Sequence, residues 1–348
     1  MAAQLTPRSL GFRMPAEWEP HEATWLAWPH EKSDWPGKFA PVPWLYGEIV
    51  RLLARAEIVR ILVNDEAAEQ AVRRILKKTH ADMAAVEFFH HPTNRSWTRD
   101  TCPIFVKGKR GEVAVTDWIF NGWAKYDNYA DDNAAPEFIA QQLYMRRFDT
   151  GVVLEGGSID VNGAGKLLTT EECLLSDVQA RNPGMSRREV ERALCNNLGV
   201  KEVIWLGRGI EGDDTDGHVD DIARFFRADA IVAAAEPDPR DANYRALRDV
   251  WERLRSFRTA SGKKFELVPL PMPRGFGFDG RRVPATYANF LVINGAVLVP
   301  TFRQPRRDAE ACAVLGACFP GREIVPVDCR EIIWGLGAIH CLTQQQPA

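Results

Sequence analysis

The chain has 348 residues, of which 45% are hydrophobic and 26% are charged, and this composition is typical of a folded globular protein rather than a disordered one. Its 44 basic and 47 acidic side chains give a net charge of −3, which excludes a dedicated nucleic-acid binder or a polybasic membrane binder. The first residues lack the pattern of a signal peptide, and no run approaches the length of a membrane span, so we expect a cytoplasmic protein.

Five helical patterns recur along the chain, each with apolar residues at three- and four-residue spacing. They run at about 65–78, 135–146, 186–198, 241–257 and 306–319. A strand-like run follows each helix after a short turn, at 86–91, 151–157, 202–207, 265–271 and 322–328. Four hairpins are predicted at 102–120, 158–175, 223–235 and 287–302, and two of them turn around Asn-Gly.

These elements form a unit of hairpin, helix and strand that recurs about every 50 to 70 residues, although the units share little sequence. Five units is the most economical count. The first unit is atypical, because strand-like runs at 24–29 and 57–64, with an extra helix near 44–56, stand in for a clean hairpin. No low-complexity linker or charge block divides the chain, so we expect a single domain over residues 1–348.

Polar residues of catalytic type follow the last strand of successive units. They are Asp100, Glu155, His218, Asp220 and Cys341. If the units are arranged around an axis, these positions converge. A thiol and an imidazole make a nucleophile with its acid–base partner, and a carboxylate orients the imidazole. The two surplus carboxylates suit a planar guanidinium, whose N–H groups a pair of acids grips bidentately. The sequence therefore predicts a guanidino substrate.

Seven motifs, which span nearly the whole chain in order, carry a family resemblance. They are MPAEWEPHEATWLAWP at 14–29, WTRD at 97–100, FNGW at 120–123, EGGSIDVNGAGKLLTTEECLL at 155–175, GHVDD at 217–221, YANFLVINGAVLVPTF at 287–302 and IHCLTQQQ at 339–346. With these motifs the sequence resembles the agmatine deiminase family, relatives of the bacterial-type peptidylarginine deiminases within the guanidino-group-modifying superfamily. The resemblance implies an α/β fold, a fivefold pseudosymmetric α/β propeller built of ββαβ repeats.

The resemblance also implies a role for each catalytic position. Cys341 matches the nucleophile, His218 the general acid and base, and Glu155 the carboxylate that holds the imidazole. Asp100 and Asp220 match the pair that grips the guanidinium. The implied reaction converts agmatine to N-carbamoylputrescine and ammonia through a covalent amidino-cysteine, in polyamine biosynthesis. It implies no organic cofactor and no metal, a small guanidino substrate as the partner, and a homo-oligomer as a family-level expectation.

Two further residues are candidates for substrate binding. We expect Trp97 to wall the substrate slot, with the cation near its ring, and Asp214 to attract a distal ammonium. The alternatives are a deiminase of free or peptidyl arginine and a non-catalytic guanidine-binding relative. An arginine enzyme places a cation near the substrate carboxylate, and the sequence alone does not assign that cation. A metal site in the acidic run 213–221 is disfavoured, because no second histidine lies at ligand spacing.

The remaining motifs are interpreted structurally. The other six cysteines are expected to be small buried apolar residues: Cys102, Cys173, Cys195, Cys312, Cys318 and Cys329. His340 is expected to be structural. Residues 275–280 match GxGxxG but lack a following helix, so they predict a flexible loop that covers the site rather than a dinucleotide site. Leu336, Ala338 and Asp216 depart from the family pattern at the rim of the site.

Overall fold

A computed structural model describes residues 5–278 and 280–348. Its first sheet alternates strands with helices. The elements are β1 (His21–Ala27), α1 (Val42–Leu53), β2 (Ile58–Val63), α2 (Glu66–Lys78) and β3 (Val86–His90). The three strands are parallel neighbours, and α1 and α2 are the crossovers that parallel pairing requires.

The chain then builds four further sheets of similar plan. The second has the four-residue helix α3 (Thr98–Thr101) before it and consists of β4 (Ile104–Lys107), β5 (Val113–Ile119), α4 (Ala130–Gln142) and β6 (Arg146–Val153). The third consists of β7 (Asp160–Val161), β8 (Lys166–Thr170), α5 (Glu171–Leu175), α6 (Arg187–Leu198) and β9 (Glu202–Leu206). The fourth consists of β10 (Ala223–Arg227), β11 (Ala230–Ala235), α7 (Tyr244–Ser256) and β12 (Glu266–Pro271).

A short hairpin of β13 (Gly277–Phe278) and β14 (Arg281–Arg282) precedes the fifth of these sheets. That sheet consists of β15 (Leu291–Ile293), β16 (Ala296–Thr301), α8 (Pro305–Cys318) and β17 (Glu323–Asp328), and β18 (Gln344–Pro347) follows it. Across the described residues, sheets two to five each pair an antiparallel hairpin with a third strand parallel to its second. The predicted unit of hairpin, helix and strand is confirmed in these four sheets.

The first sheet is atypical, as the sequence predicted. The runs at 24–29 and 57–64 overlap β1 and β2, which are parallel strands joined by α1 and so take the place of a hairpin. The antiparallel partner of β1 is β18, from more than 300 residues further along the chain, and Trp25 lies opposite Gln344. The sequence did not predict β18, because the run QQQP has no apolar alternation. Because β18 is antiparallel to β1, the first sheet has an antiparallel pair of strands at one edge, as the other four sheets do.

Three predicted boundaries are also wrong. The helix predicted at 135–146 runs from Ala130 to Gln142, because Pro136 lies inside it rather than in its first turn. The strand predicted at 151–157 starts at Arg146 and ends at Val153, since charged residues at its exposed end hid its first half. Residues 171–175 of the predicted hairpin at 158–175 form α5.

Helix α6 illustrates how local sequence sets an element. Ser186 and Glu189 form a reciprocal capping box at its start. Val190, Leu194 and Leu198 recur at four-residue spacing and are buried in the core shared with sheets two and three. Gly199 ends the helix at φ 67°, and a Cβ there would lie 2.4 Å from the carbonyl oxygen of Phe12.

None of the helices in the described parts of the chain is both long enough and apolar enough to cross a membrane.

The pairing of β1 with β18 depends on a buried amide. Gln346 Oε1 accepts hydrogen bonds from Trp25 Nε1 at 3.0 Å and from Arg60 Nη1 at 2.6 Å. Gln346→Ala leaves both donors unpaired, so we expect the free energy of unfolding to fall by about 2–3 kcal/mol. Glu22→Ala is the matched control, since Glu22 contacts the same guanidinium from a half-exposed position and its loss costs under about 1 kcal/mol.

Denaturant unfolding of both variants measures this difference. Equal losses in the two variants would contradict the structural role given to Gln346.

Candidate active site

The thiol of Cys341 lies where three distant segments meet. Asn289 Nδ2 donates to Cys341 Sγ at 3.0 Å, and Cys341 Sγ lies 3.8 Å from Asp220 Oδ2. Asn289 Oδ1 accepts from the backbone N–H of His340 at 3.0 Å, which fixes the turn that carries the thiol. Sequence reasoning missed Asn289, although it lies in the quoted motif at 287–302, because its amide has no catalytic signature of its own.

Asp220 is buried with one oxygen satisfied and one left open. Its Oδ2 lies 2.6 Å from His340 Nδ1, and His340 Nε2 lies 2.8 Å from Glu17 Oε2. Its Oδ1 is buried and has no hydrogen-bond partner among the described residues. An unpartnered buried carboxylate oxygen costs free energy, so this atom is suited to an N–H donor from a ligand. His340 is structural, as the sequence predicted, in that it holds Asp220.

Asp100 contributes the second carboxylate from α3. Its Oδ1 accepts the backbone N–H of Gly157 at 3.0 Å, and its Oδ2 accepts Trp123 Nε1–H at 2.9 Å. The backbone N–H of Arg99 donates to the carbonyl of Cys341 at 3.2 Å, which joins the WTRD segment to the nucleophile segment. Burial, partly offset by the charge of His218, raises the pKa of Asp100 to about 6.

His218 lies between two carboxylates. Its Nε2 is 3.4 Å from Glu155 Oε2, and its Nδ1 is 3.9 Å from Asp100 Oδ1. Burial opposes the imidazolium, but Asp100, Cys173 and Glu155 outweigh it and raise the pKa of His218 well above its usual value. The ring is therefore a proton donor at neutral pH.

Glu155 is held by a residue that sequence reasoning missed. Arg181 Nε donates to Glu155 Oε1 at 2.9 Å, and both side chains are fully buried. Burial opposes ionisation of Glu155, but the charges of Arg181 and His218 lower its pKa to about 2. Arg181 Nη2 also donates to the carbonyl of Thr215 at 2.6 Å, just before His218. Arg181 lies in an irregular segment, where periodicity gives no signal.

Gly157 lets these groups approach. A Cβ at this position would lie 2.5 Å from His218 Nδ1 and 3.0 Å from Asp100 Oδ1. The glycine in the EGG motif is therefore required by close packing against the imidazole and the carboxylate.

A cavity of about 710 Å³ opens onto Asp100 and Cys341. Its inner part is lined by Trp97, Asp100, Trp123, Gly335, Gly337 and Cys341. Trp97 stacks on Trp35 with ring centroids 5.2 Å apart, and its Nε1 donates to Asp34 Oδ2 at 3.0 Å, so the ring is fixed as a wall. A Cβ at Gly337 would lie 2.7 Å from the Trp97 ring and 3.3 Å from Cys341 Sγ.

The mouth of this cavity carries charges of both signs. Arg95, Tyr126, Asp214, Phe278, Arg281 and Trp334 line it. Asp214 accepts from Lys125 Nζ at 2.6 Å and from the Tyr126 hydroxyl at 2.7 Å. A larger cleft of about 1030 Å³ lies against the loop 207–217, but none of the predicted catalytic side chains lines it.

The predicted loop at 275–280 lies at this mouth. Its described part forms the β13–β14 hairpin, and Phe278 contacts Trp334 with ring centroids 4.1 Å apart. Asp279, also within the predicted loop, lies outside the described residues.

At two of the departures from the family pattern, the backbone conformation limits which residues fit without strain. Leu336 has φ 70° and Asp216 has φ 63°, both in the left-handed region. Glycine adopts this region freely and aspartate tolerates it, whereas leucine pays roughly 1–2 kcal/mol. Ala338 is buried, and nothing in the structure explains its choice.

The other cysteines are mostly placed as predicted. Cys102, Cys318 and Cys329 are buried, while Cys195 and Cys312 are half-buried. Cys173 differs from these, because its thiol donates to Glu155 Oε2 at 3.9 Å and so lies behind His218.

Two buried groups have the spacing of a metal site, with ligand atoms within 4.8 Å of one another. They are Glu155, Cys173 and His218, and Asp220, Asp221 and Cys341. Arg181 already donates to the first group, and the amide nitrogen of Asn289 donates to the second. Acceptor atoms in both groups already bind N–H donors of the protein. The two groups therefore fit N–H donors better than a metal ion, which would need these oxygens and the sulfur as ligands.

The chain is similar to known proteins over nearly its whole length. The agmatine deiminase of Ectopseudomonas mendocina (strain ymp) is 37% identical over 367 aligned residues, covering 99% of this chain and 97% of the relative. The structure of an Enterococcus faecalis agmatine deiminase superposes with a TM-score of 0.92 at 32% identity, covering 100% of this chain and 98% of that one. A substrate-bound C. jejuni agmatine deiminase with one cysteine replaced by serine gives a TM-score of 0.86 at 31% identity, covering 97% and 96%.

The family model of the Porphyromonas-type peptidyl-arginine deiminases matches residues 13–347, which is nearly the whole chain. The fold that the solved relatives share with this chain is a mixed α/β fold. On these matches, the chain belongs to the Porphyromonas-type peptidyl-arginine deiminase family.

Proposed function

We propose that the protein is an agmatine deiminase, which hydrolyses agmatine to N-carbamoylputrescine and ammonia and so supplies polyamine biosynthesis. The observation that carries this proposal is the thiol of Cys341, which lines one cavity with Asp100 and lies 3.8 Å from Oδ2 of the buried Asp220. The other oxygen of Asp220, Oδ1, has no hydrogen-bond partner among the described residues. Two buried carboxylates facing a nucleophile fit a planar cation that is attacked at its centre. The agmatine deiminases among its relatives support the choice of substrate.

The guanidinium binds between Asp100 and Asp220, with the rings of Trp97 and Trp123 beside it. Each carboxylate is already oriented by a second group, so little side-chain freedom is lost when the cation binds. Asp214, at the mouth of the cavity, is the candidate partner of the distal ammonium.

Substrate binding also prepares the nucleophile. Burial, with the charges of Asp220, Asp221 and Asp100, raises the pKa of Cys341 well above its usual value, so the free enzyme holds a thiol. A guanidinium between the same carboxylates offsets their charge and favours the thiolate, and the proton of the thiol passes to water. The thiolate attacks the guanidinium carbon and forms the C–S bond. His218 gives its proton to the leaving nitrogen, and the C–N bond breaks to release ammonia.

The second half-reaction reverses the role of His218. Now neutral, it takes a proton from water, and the resulting hydroxide attacks the carbon of the amidino-thioether. The C–S bond breaks, the departing sulfur takes up the hydroxyl proton of the intermediate to restore the Cys341 thiol, and a neutral ureido product remains. Glu155, held ionised by Arg181, keeps the His218 ring oriented in both steps. Both half-reactions use only side chains and water.

For the fold, we infer that the five sheets close into a fivefold α/β propeller and that residues 1–348 form a single catalytic domain. Support comes from the pairing of β1 with β18, which joins segments from opposite ends of the chain in one sheet. Support also comes from the repeated strand order of the other four sheets. A cytoplasmic location fits the seven unpaired cysteines, because free thiols persist in a reducing compartment.

An arginine deiminase is the second candidate, favoured by the exposed Arg281 in the lining of the cavity. The guanidinium of Arg281 suits a substrate carboxylate, whereas Arg95 is buried and paired with Asp34. Ammonia release from agmatine, free arginine and a peptide ending in arginine separates the candidates. We expect agmatine to have the highest kcat/KM. A higher kcat/KM for arginine or for the peptide would identify that compound, rather than agmatine, as the substrate.

Removing the nucleophile tests the chemistry. We expect Cys341→Ala to abolish ammonia release from agmatine and to retain a native circular dichroism spectrum, because the thiol forms the only covalent bond to the substrate. Cys195→Ala, at a half-buried position on α6, is the control and keeps full activity. Ammonia release by the Cys341→Ala protein would refute the assignment.

The ionisation of Asp100 predicts a pH dependence. Its pKa is raised to about 6, so the carboxylate is ionised above that pH and protonated below it. Only the ionised form attracts a guanidinium, and we therefore expect kcat/KM to fall about tenfold per pH unit below about 6. Steady-state rates from pH 5 to pH 8 measure this. A flat profile across pH 6 would show that Asp100 does not control binding.

The close approach at Gly157 predicts a steric effect. A methyl group there displaces His218 or Asp100, so we expect Gly157→Ala to lower kcat/KM by about 10²-fold. Gly316→Ala on α8 is the matched control, because its Cβ meets only Ile324 at 3.5 Å and activity is unchanged. Wild-type kcat/KM in Gly157→Ala would mean that the site tolerates a shift of these groups.

A further inference from the structure

The carboxylate that faces the mouth of the cavity is already paired with a cation of the same chain. Asp214 Oδ1 accepts from Lys125 Nζ at 2.6 Å, and Oδ2 accepts from the Tyr126 hydroxyl at 2.7 Å. The side chains of Lys125 and Asp214 are 38% and 25% exposed, so the pair lies at the surface and exchanges partners readily. A distal ammonium that approaches Asp214 meets an ammonium already bound there.

The backbone fixes Lys125 in this position. Gly122, Trp123 and Ala124 have φ of 65°, 58° and 53°, a left-handed run that turns the chain sharply before Lys125. The same run places Trp123 Nε1 on the carboxylate of Asp100. One short segment therefore holds both a wall of the guanidinium site and the cation at the opposite end of the slot.

The other charged groups at the mouth do not offer the distal ammonium a free carboxylate in place of Asp214. Asp34 pairs with Arg95 and accepts from Trp97 Nε1, so both of its oxygens are engaged. Arg281 lines the mouth from the β13–β14 hairpin and adds positive charge. The positive charges of Lys125 and Arg281 therefore weaken the attraction of the distal end for an ammonium, and they favour neutral or carboxylate-bearing groups relative to a slot without these cations.

We propose that Lys125 is a specificity-determining residue, which competes with the distal ammonium of a substrate for Asp214 and thereby broadens the enzyme to guanidino compounds with neutral or anionic distal ends. This inference rests on the proposed deiminase activity. Binding of agmatine has to displace Lys125, so the free energy of the Lys125–Asp214 pair is subtracted from substrate binding. Arginine, whose distal end carries a carboxylate, instead gains an attractive cation.

The test is Lys125→Met, assayed with agmatine and with arginine. Breaking an exposed ion pair and removing a like charge raises kcat/KM for agmatine about fivefold. The loss of the cation lowers kcat/KM for arginine about twofold. We therefore expect the ratio of kcat/KM for agmatine to that for arginine to rise about tenfold, chiefly through KM. Lys77→Met, an exposed lysine on α2, makes the same change in net charge and leaves the ratio unchanged.

Asp214→Asn completes a double-mutant cycle. If Lys125 is bound to Asp214, Asp214→Asn lowers kcat/KM for agmatine only slightly in the wild type. In the Lys125→Met background the same substitution lowers it about fivefold or more. An unchanged or lower substrate ratio in Lys125→Met, or the same Asp214→Asn cost in both backgrounds, would overturn the role of Lys125. A wild-type enzyme that releases no ammonia from either substrate would overturn the proposed function itself, and the two failures are thus distinguishable.

Discussion

The site depends on the burial of carboxylates that the protein itself does not fully neutralise. Asp100 and Asp220 lie away from water next to Cys341, and one oxygen of Asp220 has no partner among the described residues. Burying such charge is unfavourable unless it is paired. The cavity therefore favours a compact cation with several N–H groups. The same unbalanced charge keeps the thiol protonated until that cation arrives, so binding and activation are coupled.

This arrangement is supported by a second layer of buried charges. His340 bridges Asp220 to Glu17, and Arg224 joins Glu17 to Asp160 through contacts of its own. The layer ties the segment of the nucleophile to the N-terminal region and to the third and fourth sheets. Removing one member of a buried network leaves its partner uncompensated, which costs about 3–5 kcal/mol. The ion network therefore makes a large contribution to holding the substrate-facing carboxylates in place.

The sequence predicted the repeated unit in four sheets, because each hairpin and helix carries its own local periodicity. It proposed the five catalytic positions, because each follows a strand and matches a motif. Asp100 and Cys341 line one cavity, and Asp220 lies 3.8 Å from the Cys341 thiol. His218 lies between Asp100 and Glu155. The sequence missed Arg181 and Asn289, since neither a buried arginine in an irregular segment nor an amide in a hairpin has a local signal. It also missed β18, whose polar side chains become buried only through contacts with β1 and β4, distant in sequence.

That last strand has a consequence for biosynthesis. Cys341 lies three residues before β18, and β1 has no antiparallel neighbour until residues 344–347 reach it. During translation the edge of the first sheet stays open while the other sheets assemble, and an open edge is a site for mispairing with other chains. Docking of β18 then closes this edge and brings the thiol to the carboxylates in the same event. The nascent polypeptide thus gains its reactive sulfur only as β18 pairs with β1.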